Sequence, residues 1–224
     1  MRVIFYFFII FFLFTSTLFP HSDHYKNFNQ IEFEIYRNSK LVGYNKYNFY
    51  NKGKILEIKN IIAFNVKLLG KDIIKLHGKS SEIHTDGKLI SFTSETKQND
   101  KIKYVKISVD ENSDKLKINS SSNNGIVDPE IIVGNWWNHQ ILLSDKFISP
   151  VTGSIRNQDV DFIKKSKISL NGKDYMTEVF KITTYKSNKK NLVFLVWYEK
   201  RKNIIFKVKY NKYGEWEYRL KKFN

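Results

Sequence analysis

The stretch IEFEIYRNSKLVGYNKYNFY, residues 31–50, shows the pattern on which the whole chain is built. Apolar residues alternate with glutamates from Ile31 to Ile35, so one face of an extended strand is apolar and the other is charged. Asn38 and Ser39 are turn residues, and a second strand is predicted from Leu41 to Tyr50. The stretch therefore predicts an antiparallel β-hairpin.

The same pattern continues toward the middle of the chain. Short polar turns separate alternating segments, and Asp86-Gly87 is a strong signal for a two-residue hairpin turn. The further strands predicted here are Lys54 to Leu69, Ile73 to Thr85, Lys88 to Lys97, Lys101 to Asp110 and Lys115 to Ser120. Consecutive strands with short links are typical of an up-and-down meander.

The pattern of alternating strands and short turns is interrupted between residues 120 and 153. A short helix is predicted from about Pro129 to Leu143, because Asp128 is a good N-cap and proline suits the first helical position. We expect this helix to plug the sheet. Strands then resume, at Val160 to Leu170, Tyr175 to Lys186, Leu192 to Glu199, Ile204 to Tyr210 and Trp216 to Leu220.

Most of these strands have a single apolar face, and such a sheet has to curl around a core. The run Leu192 to Trp197 is apolar on both faces and predicts a central strand that is covered on both sides. The predicted fold is all-β, an antiparallel up-and-down meander that forms a curled sheet or half-barrel or barrel with one short helical plug. Residues 30–224 are predicted to form a single β domain.

The chain begins like an exported protein. Arg2 precedes an almost unbroken apolar run from Val3 to Phe14, which predicts a signal peptide or N-terminal anchor over residues 1–20. Thr15 and Thr17 supply the small side chains that signal peptidase needs, while the run also reaches the lower limit for spanning a bilayer. Two interpretations follow, a cleaved periplasmic or otherwise exported protein and one anchored to the inner membrane. Residues 21–29 form a polar lead-in.

The amino-acid composition limits the kinds of chemistry and of binding partner that are expected for this chain. The chain has no cysteine, which excludes disulfides, thiolate catalysis and cysteine metal sites. The formal net charge is +16, from 38 basic and 22 acidic residues. Lysine greatly outnumbers arginine and is scattered along the strands, so we predict no nucleic-acid binding and a weak attraction to anionic membrane surfaces. The sequence does not indicate an oligomeric state.

No group of residues predicts catalysis, a metal site or a cofactor. His77 and His84 are seven residues apart on one predicted strand and therefore lie on opposite faces. His21 and His24 are interpreted as part of a solvated tether. Ser144, Asp145 and His139 lack the glycine-rich segments that accompany a hydrolytic triad. We predict that the protein is not an enzyme.

The second half of the chain carries a series of aromatic motifs. They are Trp136-Trp137-Asn138-His139, Thr152-Gly153, the Asn171-Gly172 turn, Trp197-Tyr198-Glu199 and Tyr218-Arg219-Leu220. This series resembles an uncharacterised family of exported proteobacterial β-meander proteins. The resemblance implies a shared fold and an envelope location and brings no known activity. The general shape is also similar to half-barrel carriers of lipids and lipoproteins, an analogy of fold only.

Two functional hypotheses follow. The first is a periplasmic binding or carrier protein for an apolar or amphipathic ligand, such as a lipid or a hydrophobic small molecule. Its candidate ligand-binding residues are Trp136, Trp137, His139 and Trp197, and the tryptophan pair either lines the cavity or only fills the core. The second is a non-enzymatic structural or assembly partner that contacts another protein of the cell envelope.

Overall fold

The computed structural model describes residues 25, 27–111, 113–186 and 189–224. The predicted targeting segment, residues 1–20, and the histidines of the polar lead-in lie outside these residues. Within the described part of the chain, no helix has the length and apolar character needed to cross a membrane.

The described residues form one sheet of fifteen strands. The strands are β1 Gln30–Arg37, β2 Lys40–Lys52, β3 Ile55–Leu68, β4 Lys71–Thr85, β5 Lys88–Gln98, β6 Lys101–Val109, β7 Leu116–Ser120, β8 Asn124–Val127, β9 Ile132–Val133, β10 Lys146–Ile148, β11 Ile155–Leu170, β12 Lys173–Lys186, β13 Lys189–Glu199, β14 Ile204–Asn211 and β15 Glu215–Phe223. A one-turn 3₁₀ helix, His139–Leu142, lies between β9 and β10.

The strand order places the first and last strands side by side in the centre of the sheet. From one edge of the sheet to the other, the strands are β8 to β1 in descending order, followed by β15 to β9 in descending order. Strand β1 pairs antiparallel with β15, for example Ile35 with Tyr218. Every neighbouring pair is antiparallel except β9 with β10, which are parallel. The predicted meander is thus confirmed, and the β1–β15 pairing joins its two halves.

The inner face of the sheet carries the core. Ile31, Phe33 and Ile35 of β1 are 0% exposed, as the alternation of the opening stretch predicts. They belong to a cluster with inward side chains of β2, β3 and β12–β15. A second cluster joins strands from opposite ends of the sheet, with Ile118 on β7 and Ile148 on β10. The sheet therefore curls until its ends meet through side-chain packing, and within the described part of the chain no strand ladder closes it.

The predicted hairpin turns are present, and their backbone conformations explain their sequences. Asp86 and Gly87 have φ of 49° and 80°, and Asn171 and Gly172 have φ of 52° and 75°. Tight hairpin turns whose twist matches the strands need this left-handed region, which Asn, Asp and Gly tolerate.

The predicted helix from Pro129 to Leu143 is reduced to the 3₁₀ turn at its end. Asp128 caps no helix here, because its Oδ1 accepts a hydrogen bond from the backbone N–H of Glu130 at 2.9 Å in a turn. The β-branched pair Ile132–Val133 then forms β9, and the N–H of Gly134 donates to Ile148 O at 2.9 Å. Pairing with β10 thus replaces the helical hydrogen bonds.

Strand β13 lies between β12 and β14, so it is a strand of the sheet interior as predicted, but the predicted cover on both of its faces is incomplete. Its inward residue Val196 is fully buried, whereas Leu195 and Trp197 on the outer face are half-buried. The Lys207 ammonium lies 4.6 Å from the centroid of a Trp197 ring and covers this indole. Side chains of neighbouring strands, rather than a second layer, shield the outer face.

We predict that Phe33→Ala lowers the free energy of unfolding by about 3–5 kcal/mol, because it opens a cavity where the two halves of the sheet join. The control is Phe162→Ala, since Phe162 is 55% exposed. This variant should stay within about 1 kcal/mol of wild type. Urea denaturation measures both changes. Equal losses from the two variants would contradict this assignment of the core.

Candidate ligand-binding site

Residues Gly134–Asn138, here called the plug segment, lie inside the curled sheet. The Trp137 side chain is 1% exposed and packs edge-on against the rings of Tyr25, Phe49 and His84, with centroid distances of 4.9, 5.7 and 5.8 Å. Such edge-to-face contacts suit the charge distribution of aromatic rings. Trp137 therefore fills the core, which is one of the two roles expected for the tryptophan pair.

A buried carboxylate fixes the plug segment to the sheet. Glu82 on β4 is 2% exposed. It accepts hydrogen bonds from Asn135 Nδ2 at 2.8 Å and from Trp137 Nε1 at 3.3 Å. His84 Nε2 lies 2.8 Å from its other oxygen. Burial of a carboxylate is costly unless such partners replace water, so the position of Glu82 and that of the plug segment depend on each other.

The local sequence places Glu82 and His84 on the inner face. Along β4 the inward positions alternate with outward ones, and a bulge between Ile83 and His84 adjusts the register to β5. His77 is exposed, which confirms that the two histidines of this strand lie on opposite faces.

Two cavities adjoin the plug segment. One has a volume of about 220 Å³ and is lined by polar groups that include Glu82, His84, Glu130 and Asn138. The other, here called the Trp136 cavity, has a volume of about 260 Å³. Its wall comes from both halves of the sheet and includes Asn45, Asn60, Ile62, Trp136, Phe194 and Tyr210.

The Trp136 cavity combines an apolar, aromatic wall with uncharged hydrogen-bonding groups. The Trp136 and Phe194 rings are 5.4 Å apart between centroids. On the opposite wall, Asn60 Nδ2 donates to Asn45 Oδ1 at 2.5 Å, and Asn45 Nδ2 donates to the Tyr47 hydroxyl at 2.9 Å. Burial raises the pKa of Tyr210 to about 12, so its phenol stays neutral at physiological pH.

The four predicted ligand-binding residues occupy different environments. Trp136 lines the cavity, and Trp137 lies in the core behind it. The His139 ring stacks on Tyr198 at 5.6 Å, and its Nδ1 lies 2.9 Å from the Tyr25 hydroxyl. Trp197 points to the outer face, beneath Lys207. The structure therefore brings only Trp136 of the four to this cavity.

Sequence reasoning missed the polar residues of the interior. Asn45 and Asn60 each occupy an inward position of a strand whose neighbouring inward residues are mostly apolar, whereas Glu82 lies between the inward residues Ser80 and His84 of β4. That departure from alternation was visible in the sequence. Their convergence required the strand registers, which pair Tyr47 with Asn60 and Asn60 with Ser80.

The fold and the cavity define a curled, barrel-like antiparallel β protein with a pocket in its interior. The chain belongs to the family described as a domain of unknown function, DUF6134, whose model matches residues 33–221. This confirms the predicted resemblance to an uncharacterised β-rich family.

Among solved structures, the chain is similar to a β-barrel-like protein of the domain of unknown function DUF1849 from Brucella abortus. The TM-score is 0.61 and the sequence identity is 8%, over 87% of this chain and 96% of the other. At this identity the similarity establishes the fold alone. The comparison with curated proteins gives no match.

We predict that Glu82→Ala lowers the free energy of unfolding by about 3–5 kcal/mol, because it leaves the buried donors of the plug segment without an acceptor. Glu82→Gln should cost less, since its carbonyl oxygen still accepts one of these bonds. Glu95→Ala is the control, because Glu95 is exposed and should change stability by no more than about 0.5 kcal/mol. Thermal or urea unfolding gives all three values, and a Glu82→Ala variant as stable as the control would refute the role of this carboxylate.

Proposed function

We propose that this protein is an exported, non-enzymatic binding protein that holds one small amphipathic ligand in the Trp136 cavity. The observation that carries the proposal is the cavity itself, because it lies in the interior of the curled sheet and combines aromatic walls with buried amides. Ligand pockets in proteins are typically apolar with a few well-placed polar groups.

The volume of the cavity sets the size of the ligand. An apolar cavity of about 150 Å³ is enough to hold benzene. A volume of about 260 Å³ therefore suits a ligand of one or two rings or a short acyl chain, and a whole phospholipid is too large. This narrows the sequence-based hypothesis of a lipid carrier to small amphipathic molecules.

The chemistry of the wall sets the character of the ligand. Burial of apolar ligand surface against Trp136, Phe194 and Ile62 contributes about 25 cal/mol for each Å² removed from water. The amides of Asn45 and Asn60 and the Tyr210 hydroxyl offer hydrogen bonds to a polar group of the ligand. A molecule with an apolar body and a polar group matches both parts of the wall.

Ser144 and His139, two of the residues considered for a hydrolytic triad, each contact neighbouring groups of the protein. The Ser144 hydroxyl donates to Gln140 O at 3.1 Å. The imidazole of His139 is engaged by Tyr25 and stacked on Tyr198. These groups stabilise the segment that follows the plug. The export of the protein to the periplasm rests on the apolar N-terminal run and belongs to the same proposal.

One observation favours the alternative, an assembly partner of the envelope. Strand β11 pairs with β12 from Asn157 to Leu170, but with β10 only from Ile155 to Asn157. Its remaining edge can accept a strand from another chain. However, Lys164, Lys165 and Lys167 and a bulge after Phe162 lie on this strand, and such features protect edges against pairing. The cavity is therefore the better-supported site.

Octanol is a suitable neutral probe for the Trp136 cavity. We predict that it binds the wild-type protein at one site and shifts the tryptophan emission, because Trp136 lines the cavity. Trp136→Ala should weaken binding at least about tenfold, since it removes a large part of the apolar wall. Isothermal calorimetry and fluorescence titration measure the affinity.

Trp137→Ala serves as the matched comparison. This change should lower the free energy of unfolding by about 3–5 kcal/mol, because Trp137 is a core residue. In the fraction that remains folded, octanol should still bind. If neither octanol nor a charged octyl probe binds the wild-type protein, the proposed binding function fails and the envelope-partner hypothesis takes its place. A pull-down that recovers one envelope protein, abolished by a proline in β11, would then support that alternative.

A further inference from the structure

We infer that the ligand of the Trp136 cavity is an anionic amphiphile whose negative group lies beside Lys212 at the mouth of the cavity. This inference rests on the proposed binding function and adds the charge and orientation of the ligand. It follows from three features, the uncharged interior wall, the unpaired lysines on the rim and the acidic character of the neighbouring cavity.

The described residues of the interior wall, below the lysines of the rim, carry no charge. Its titratable side chains are the phenols of Tyr47, Tyr210 and Tyr218. Burial raises the pKa of each phenol, so all three are neutral at physiological pH. A charged group of the ligand therefore finds no counter-ion in the interior and is expected to stay at the opening, because burial of an unpaired ion is costly.

Among the described residues that line this cavity, two are charged, Lys79 and Lys212, and both are exposed. Among the described residues, no carboxylate lies within ion-pair distance of either ammonium group. The lysines of β14, the strand just before Lys212, are paired instead. The ammonium groups of Lys207 and Lys209 each lie 2.7 Å from a glutamate carboxylate of β15. The rim thus presents cations whose charge is not neutralised by a carboxylate of the described residues.

The backbone position of Lys212 is fixed. Its N–H donates to Gly214 O at 3.0 Å, and its carbonyl accepts from Trp216 Nε1 at 3.0 Å. The turn that holds it follows directly after β14, whose residue Tyr210 lines the cavity. A ligand with its apolar body against Tyr210 and Trp136 therefore has this lysine in the lining of the same cavity.

The second cavity gives a contrast within the same molecule. Its described lining includes the carboxylates of Glu82 and Glu130 together with the basic side chains of Lys88 and His84. An anion is thus favoured at the Trp136 cavity over the neighbouring one. The net charge of +16 adds a general attraction for anions, which raises the rate of encounter at low salt.

The test compares three probes with the same tail, octanoate, octanol and octylammonium, on the full chain at neutral pH. We expect octanoate to bind the wild-type protein about two- to fivefold more tightly than octanol, the usual range for one exposed ion pair. Octylammonium should bind most weakly. The preference for octanoate should shrink as ionic strength rises, because salt screens exposed charges.

Lys212→Gln is the decisive variant, with Lys200→Gln as its control, because Lys200 is exposed and lines neither cavity. Lys212→Gln should remove the preference for octanoate and leave the affinity for octanol unchanged, and Lys200→Gln should leave both affinities unchanged. If octanol binds but octanoate is no tighter, or if Lys212→Gln leaves their ratio intact, the inference is wrong while the binding function stands. If none of the probes binds, both fail.

Discussion

The carboxylate of Glu82 is the constraint on which the interior of this protein depends. It is buried on the inner face of β4, where a carboxyl group needs hydrogen-bond partners that replace water. Asn135 and Trp137 of the plug segment supply two of these donors, and His84 lies beside the second oxygen. The acid thereby determines where the plug segment crosses the interior, and through Trp137 it determines how the core is filled.

The position of the plug segment shapes the rest of the interior. Because the Trp137 indole donates a hydrogen bond to Glu82 of β4, its neighbour Trp136 faces the opposite half of the sheet and contacts Phe194 of β13. The space left between that indole and the amides of β2 and β3 is the Trp136 cavity. The core residue Trp137 and the cavity-lining residue Trp136 thus come from adjacent positions of one segment. This arrangement explains why two large aromatics follow each other where the meander is interrupted.

Local chemistry was sufficient to predict most of the strands. Alternation in β1 and positive-φ turn residues such as Asp86-Gly87 act over a few residues, so they can be recognised without knowledge of the fold. The same local rules misjudged the segment after Asp128, where a good N-cap and a proline favoured a helix. Pairing of β9 with β10 outweighed that preference, and this pairing depends on contacts with residues 146–148.

The candidate site was less predictable than the fold for the same physical reason. The adjacent tryptophans indicated a special segment, yet their opposite roles depend on Glu82, more than fifty residues earlier in the chain. The convergence of Asn45, Asn60 and Tyr210 depends on the pairing of β1 with β15, which brings the two halves of the sheet together. No local pattern encodes that pairing.

Native mass spectrometry of the protein purified from its own cells tests the central claim most directly, since it weighs the folded chain with any molecule that its interior retains. The account predicts one small amphipathic anion per chain, released when the protein is unfolded, and of a size that fits a cavity of about 260 Å³. A bare chain in every preparation, or a bound molecule that stays attached when Trp136 is replaced by alanine, would contradict it.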